Sequence, residues 1–455
     1  MTVATRSKSY YPARMSDNTN PLWPEFPPTR GSRAPADTPP RYETVNRTQI
    51  ELTPTDLEAL LPPGHAARLV WRFVEGLDLS AFYATIRARE GRAGRPPIDP
   101  KILIALWLYA TIDGVGSARE VDRLCYGHEA YRWLRGGVSV NYHTLSDFRV
   151  DHHVALDDLL TQSIATLRHR GVVTLARVAQ DGMRIRASAG AGSFRREGTL
   201  RACVQAAEQL VARTKRQGEG GLTRVEAAQA RAAADRLARV EEALAELPAV
   251  AAAKARTASK RKGRTPKAAR VSTTDPAARV MKLSDGGYRP AYNVHFATDH
   301  DSDLIVGVAV TNVSSDQQEL LPMLAQVETR VGRPATWLAD GGFVAHGAID
   351  EATARGVCVL APVPRRPGSK DPVPVQPTDS PAVAAWRLRM QTDEAKQQYR
   401  HRGAIAERIN ADARTHRTLG RILVRGLPKV HAWVLWFALA HNLMRSLEVV
   451  PYLMT

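Results

Sequence analysis

Apolar residues recur at helical spacing from Leu52, in ELTPTDLEALLPPGHAARLVWRFVEGLDLSAFYATI, with Thr55 placed to cap and Pro62–Pro63 to interrupt. After Pro96–Pro97, Asp99–Pro100 opens a strongly apolar helix from Lys101 to Ile112, which Asp113–Gly114 ends. Ser117 stands where it would cap the next helix, AREVDRLCYGHEAYRWL, and Thr144-Leu-Ser-Asp147 would cap a further one reaching Arg168. Residues 51–170 therefore read as an all-α domain. The period then changes. In LARVAQDGMRIRA (175–187), Met183, Ile185 and Ala187 alternate with Arg184 and Arg186, as in a strand with one buried face. Strand-like runs follow at 289–298 and 304–311. Asp316 is placed to cap a helix through Val331, and strands return at 335–339 and 357–361. Helices at 393–415 and 429–448 close the pattern. The order βββαβ…βα predicts an α/β domain over 171–448, its first three strands antiparallel if short hairpins link them.

Three stretches fall outside this pattern. Residues 1–50 read as an irregular arm, since the first forty hold eight prolines and little periodicity. Residues 197–270 interrupt the strands with Ala-, Glu-, Arg- and Leu-rich sequence, and read as a helical hairpin inserted between strands one and two. The tail of that insertion, 254–270, carries eight basic residues and no acid, and suits either a path along phosphates or a solvated linker. Residues 362–381 hold seven prolines in twenty, so 362–392 is expected to be an extended, mobile loop.

Composition narrows the function. The 455 residues include 63 Lys and Arg against 46 Asp and Glu, a net charge of +17 that calls for a polyanionic partner, with nucleic acid first. A hydrophobic share of 44 % supports a full core, so neither disulfides nor a structural metal are needed. Cys125, Cys203 and Cys358 are far apart without a CxxC pair, which excludes a disulfide scaffold or zinc ribbon and fits a reducing cytoplasm. The opening MTVATRSKSYYPAR has no apolar stretch of the secretory kind. The longest apolar runs, 102–110 and 432–440, are nine residues each, short of the roughly 18–20 that span a bilayer.

Candidate chemistry rests on carboxylates where packing would not put them. Asp181 shares parity with Met183 and Ile185 and so interrupts a face that should be buried. Asp340 follows the apolar run WLA and precedes Gly341–Gly342, at the carboxyl end of a strand, where open α/β sheets bind ligands and glycines admit a bulky group. Such a carboxylate suits a hard cation such as Mg²⁺. In the helix TDEAKQQYRHRGAIAERINADARTHR, Arg400, Gly403, Glu407, Ala411 and Arg414 lie on one stripe, which would present a carboxylate to a metal between phosphate-gripping guanidinium groups. Taken singly, each acid is equally a turn, cap or exposed-face residue. The helices around 101–134 would form a helix-turn-helix about Asp113–Gly114, or a structural bundle, since ILIALWLYA is too apolar to read DNA. His441–Asn442 are explained by packing.

Together, Asp181 in VAQDGMRIRA, Asp340 in LADGGF and Glu407 in YRHRGAIAERINADAR resemble the DDE transposases of bacterial insertion sequences, of the IS-eleven-eighty-two family type. The likeness runs from Leu52 to Met444. PPIDPKILIALWLYATIDGVGSARE and GGVSVNYHTLSDFR look like that family's N-terminal domain, and STTDPAARVMK…GGYRPAYNVHFATD like its second strand region. RGLPKVHAWVLWFALAHNLMR is similar to its C-terminal helix. The wider class carries Tyr-x₂-Arg-x₃-Glu-x₆-Lys around the third acid. Here Tyr399-x₂-Arg402 precedes Glu407 by one residue more, Arg414 replaces the lysine, and either Arg400 or Arg402 is left as the signature arginine.

The resemblance implies a ribonuclease-H-like catalytic domain with a mixed sheet, helical insertion 197–270 and Pro-rich loop 362–392, after an all-α domain for DNA binding or dimerisation. It implies that Asp181, Asp340 and Glu407 are catalytic and hold two Mg²⁺ ions, with Mn²⁺ able to substitute. Tyr399, Arg400, Arg402, Arg414, Lys260, Arg261 and Lys262 would contact DNA. The partner would be double-stranded DNA, both element ends and target, bound by a homo-oligomer at the cytoplasmic nucleoid with no membrane. The rival readings are a catalytically inactive descendant that only binds DNA, and a stand-alone ribonuclease-H-like nuclease.

Overall fold

The computed structural model describes residues 56–86, 88, 96–217, 223–259, 265–365, 368 and 371–449. Residues from Thr55 onward form one compact unit. The cap expected at Thr55 and the arm at 1–50 lie outside the described residues.

The first part is helical, as its periodicity predicts: α1 Ala66–Glu75, α2 Ser80–Ala84, α3 Pro100–Ile112, α4 Ala118–Gly127, α5 Glu129–Arg135, α6 Tyr142–Asp151 and α7 His153–His169. Asp99 caps α3 by accepting from the Lys101 N–H, with Pro100 at the first helical position, where its missing N–H costs nothing. α3 is buried from Ile102 to Thr111, all the way round, so it cannot lie in a DNA groove. Two expected helices are each divided. His128 splits the one after Ser117, which sits at the N-cap of α4 without a side-chain bond. His152 splits the one leading to Arg168, and its cap is Asn141, whose Oδ1 accepts from the Thr144 N–H, rather than Thr144 itself.

The second part is built on β1 Arg177–Arg186, β2 Phe194–Arg195, β3 Val271–Ser272, β4 Arg279–Lys282, β5 Tyr288–Asp299, β6 Ile305–Thr311, β7 Thr336–Leu338 and β8 Cys358–Leu360. Its helices are α8 Glu197–Gln217, α9 Arg224–Ser259, α10 Leu320–Val331, α11 His346–Ala354, α12 Pro381–Arg389, α13 Asp393–Thr415 and α14 Leu427–Val449. The main sheet runs β4-β5-β1-β7-β8, with β6 also on β5. β5 is antiparallel to β1 and to β6, while β7 is parallel to both β1 and β8. The three leading strands are thus antiparallel as expected. Only the β5–β6 link is short, because α8 and α9 fill the gap between β1 and β5 as the predicted inserted hairpin.

Two further expectations are corrected. The loop at 362–392 contains α12, with Pro381 at a first-turn position and the Ser380 side chain accepting from the Val383 N–H. An Arg365–Pro372 bridge and a buried Arg387–Asp379 ion pair at 2.7 Å further pin it. Asp316 does not cap α10, which starts at Leu320 without a side-chain cap. The short strands β2, β3 and β4 carry too few residues for an alternation to register.

α14 is the centre of the molecule. It is buried from Ala432 to Ala440, touching α3, α6 and α7 on one side and β6 on the other. Asn442 near its end exchanges both amide bonds with the Ile305 backbone, each 2.8 Å, and His441 lies 3.0 Å from the Asp303 carbonyl. Both are packing roles, as expected. Among the described residues no helix is long and apolar enough to cross a membrane.

Candidate active site

The parallel register of β1 and β7 sets the site. Ala179 pairs with Leu338 at the end of β7, and two residues further along each chain come Asp181, still on β1, and Asp340, just past β7, close enough for the charge of Asp340 to act on Asp181. Both share parity with Ala179 and Leu338, which pack against Leu360, Ala395 and Tyr399. The two carboxylates therefore lie on the face that α13 covers. Asp340 is exposed, and its Oδ1 accepts from the Gly341 N–H at 2.6 Å.

Asp181 is held from α13. Arg402 donates to its Oδ1 at 2.7 Å and to the Gln180 carbonyl at 3.1 Å, and the Asn410 amide donates to its Oδ2 at 2.7 Å. Burial pushes the Asp181 carboxyl above its ordinary value; the Arg402 charge, the Gly182 N–H and Asn410 pull it down, and the charge of Asp340 adds to the rise. Tyr399 is half-buried beside the Arg402 guanidinium, 6.0 Å from its ring. Burial raises its phenol, with smaller contributions from Asp340 and Asp181. Four residues marked by sequence spacing thus fold together: Asp181, Asp340, Tyr399 and Arg402.

The remaining candidates stand apart. Arg400, Glu407 and Arg414 are exposed, so the stripe predicted to face the site is turned to solvent. The inward face is instead Arg402, Ala406, Ile409, Asn410 and Ala413. Lys260, Arg261 and Lys262 lie outside the described residues. Among the described residues, no three His, Cys, Asp or Glu side chains are gathered closely enough to hold a metal.

The opposite face of β1 holds groups that are not among the candidate chemistry of the sequence. Gly182 pairs with His295, and a Cβ at Gly182 would lie 3.1 Å from that ring and 3.3 Å from Asp316 Oδ1. His295 is fully buried, edge-on to Phe343 at 5.5 Å, and neither ring nitrogen has a hydrogen-bond partner. Asp316 accepts from Asn293 Nδ2 at 2.6 Å and stands 3.9 Å from both His295 and Arg184. This layer lies against the backbone at Gly182 and, through Asp316, at Gly342.

Residues 264–443 match the family model described as a transposase DDE domain, and residues 55–151 match the transposase domain (DUF772). The chain is an insertion-sequence DDE transposase. The first match contains Asp340 and Glu407, while Asp181 precedes it. The DDE domain implies a ribonuclease-H-like fold, and the mixed sheet with β1 at its centre is that fold. Enzymes of this family catalyse DNA cleavage and strand transfer, and use divalent metal ions, typically Mg²⁺. No curated protein and no solved structure showed a significant match. The transposase's own residues fit such an ion at two positions. Asp181 and Asp340 are neighbouring oxygen donors, the charge of Asp340 raising the cost of ionising Asp181, and a cationic group, Arg402, already lies against Asp181.

Proposed function

We propose that this transposase binds the terminal inverted repeats of its own element, an insertion sequence of the IS-eleven-eighty-two type, and cuts and rejoins DNA there as a homo-oligomer in the cytoplasm. The observation that carries the reading is that Asp181 on β1 feels the charge of Asp340, which follows the end of the parallel neighbour β7, beneath α13. Water attacks the phosphorus at the element end, the bond to the 3′ oxygen breaks, and a 3′-hydroxyl is freed. That hydroxyl then attacks a target phosphodiester, displacing a second 3′ oxygen. Two divalent ions, Mg²⁺ or Mn²⁺, when bound, lower the cost of deprotonating the attacking oxygen and stabilise the leaving one.

Asp181 and Asp340 would hold these ions, with Glu407 as third ligand; its support is the sequence spacing and its position three residues before Asn410 on α13. Arg402 opposes the upward push that burial gives the Asp181 carboxyl and orients it. Arg400 and Arg414, exposed on the side of Glu407, suit the phosphates flanking the scissile bond.

Asp181→Asn, Asp340→Asn and Glu407→Gln are each expected to abolish Mg²⁺-dependent nicking of end-containing duplex while leaving its binding intact. Retained nicking removes the residue concerned from the assignment. Strand-transfer products from a pre-cut end separate a transposase from a nuclease, which makes only hydrolysed ends.

A further inference from the structure

The hairpin of α8 and α9 divides by charge along its length. At its root, residues 197–208 and 241–250 carry Glu197, Glu208, Glu241, Glu242 and Glu246 against Arg201 alone. At its far end, residues 209–217 and 224–240 carry seven Lys or Arg against Glu226 and Asp235. Glu226 is occupied in capping α9: its Oε2 accepts from the Thr223 N–H at 2.9 Å, and the Thr223 hydroxyl accepts from the Glu226 N–H. Arg213, Lys215, Arg216, Arg224, Arg231 and Arg236 are exposed, and none pairs with a carboxylate among the described residues. Between the helices lies an open groove of about 490 Å³ whose polar lining is Arg213, Thr214, Gln229 and Arg236.

Packing does not account for this. The root has its own apolar cluster of Leu200, Ala243, Leu247, Val250 and Val271, whereas the far end closes on Ala233 and Val240 alone among its described buried residues. Gathered like charges repel, so the far end gains nothing from them in its own folding. The hairpin also leaves the sheet beyond the carboxyl end of β1, the strand that carries Asp181. Residues 224–240 extend about 25 Å at 1.5 Å per residue. That reaches along about seven base pairs of duplex at 3.4 Å per phosphate on each strand.

We infer that the far end of the α8–α9 hairpin is a DNA-backbone clamp that grips duplex without reading its sequence. The inference rests on the proposed transposase reading for its partner, yet its test does not require cleavage. The full chain and two variants are titrated against a labelled duplex of unrelated sequence across a salt series. One variant is Arg213→Ala/Arg216→Ala/Arg231→Ala/Arg236→Ala, and the other replaces the same arginines with lysine. The alanine variant is expected to bind about tenfold more weakly or worse near 0.1 M salt, its log–log salt slope shallower by about 0.9 for each phosphate no longer neutralised. Its helicity by circular dichroism should be unchanged, because alanine favours helix. The lysine variant is expected to keep affinity and slope. An alanine variant that matches the parent overturns the clamp alone, as does a lysine variant that loses as much as alanine, or a loss confined to an RNA duplex. A parent chain that does not bind this duplex overturns the clamp, while the transposase reading falls only if the same chain also fails to bind and nick end-containing duplex.

Discussion

His295 is buried without a partner on either ring nitrogen, beneath the backbone that carries Asp181. Burial, opposed by Asp316 and aided by Arg184, lowers its pKa to about 4 from an ordinary 6.5. Between those values the unfolded chain binds a proton that the folded chain does not. The contribution to stability is therefore complete above about pH 6.5 and is lost as pH falls toward 4, by about 3 kcal/mol in all. Other buried groups are shifted too: burial also lowers His431, while it raises Asp181, Asp275 and Asp299 with the opposite slope. The measurement is therefore a difference. Urea unfolding of the parent and of His295→Leu at pH 7 and pH 5 is expected to show the parent losing about 2 kcal/mol more than the variant. Equal losses would place the proton elsewhere.

At the scale of elements, α13 meets β1 through polar contacts as well as apolar ones. Arg402 is nine-tenths buried against Asp181, which is about a quarter exposed, and Asn410 takes the other carboxylate oxygen. Removing one member of a buried pair leaves a charge without its partner, a loss of about 3 kcal/mol. Arg402→Ala is therefore expected to lower the melting temperature. Added Mg²⁺ should restore more of it in the variant than it adds to the parent, because a cation returns to the Asp181–Asp340 pair. An equal Mg²⁺ response in both proteins would argue against a cation site there. The same contact explains what the sequence could tell. The extent of α13 is legible as the helix read over 393–415, Asp181 from a polar residue at a strand position that should be apolar, and Asp340 from its place between an apolar run and two glycines. Which face of α13 turns inward is not legible. Arg402 and Asn410 stand on the buried side, where periodicity looks for apolar residues, and the rival stripe through Glu407 is equally mixed. α12 stays hidden because Pro381 reads as a breaker when it is in fact a helix start.

Across the molecule, the helical first part and the sheet are joined by α14, which comes from the end of the chain and is buried between them. Trp436 sits at this junction, 1 % exposed, donating to the Arg149 carbonyl at 3.0 Å. Arg149 in turn lies over the rings of Trp107 and Trp433, at 4.5 and 4.1 Å, tying α6 to both α3 and α14. Phe437, the next residue on α14, contacts Phe296 of the sheet at 5.5 Å. With one buried helix serving both parts, neither has a core that is complete alone. Residues 56–449 should then unfold in a single transition. Trp436→Ala is expected to cost about 3–5 kcal/mol, with that loss felt on both sides of α14. Native-state hydrogen exchange reads this directly, since amides of α3 and of β5 belong to opposite sides. Both sets should exchange faster by a similar free energy in the variant. If the α3 amides alone accelerate, the helical part is a separate cooperative unit, and the transposase has a hinge where this packing places a shared core.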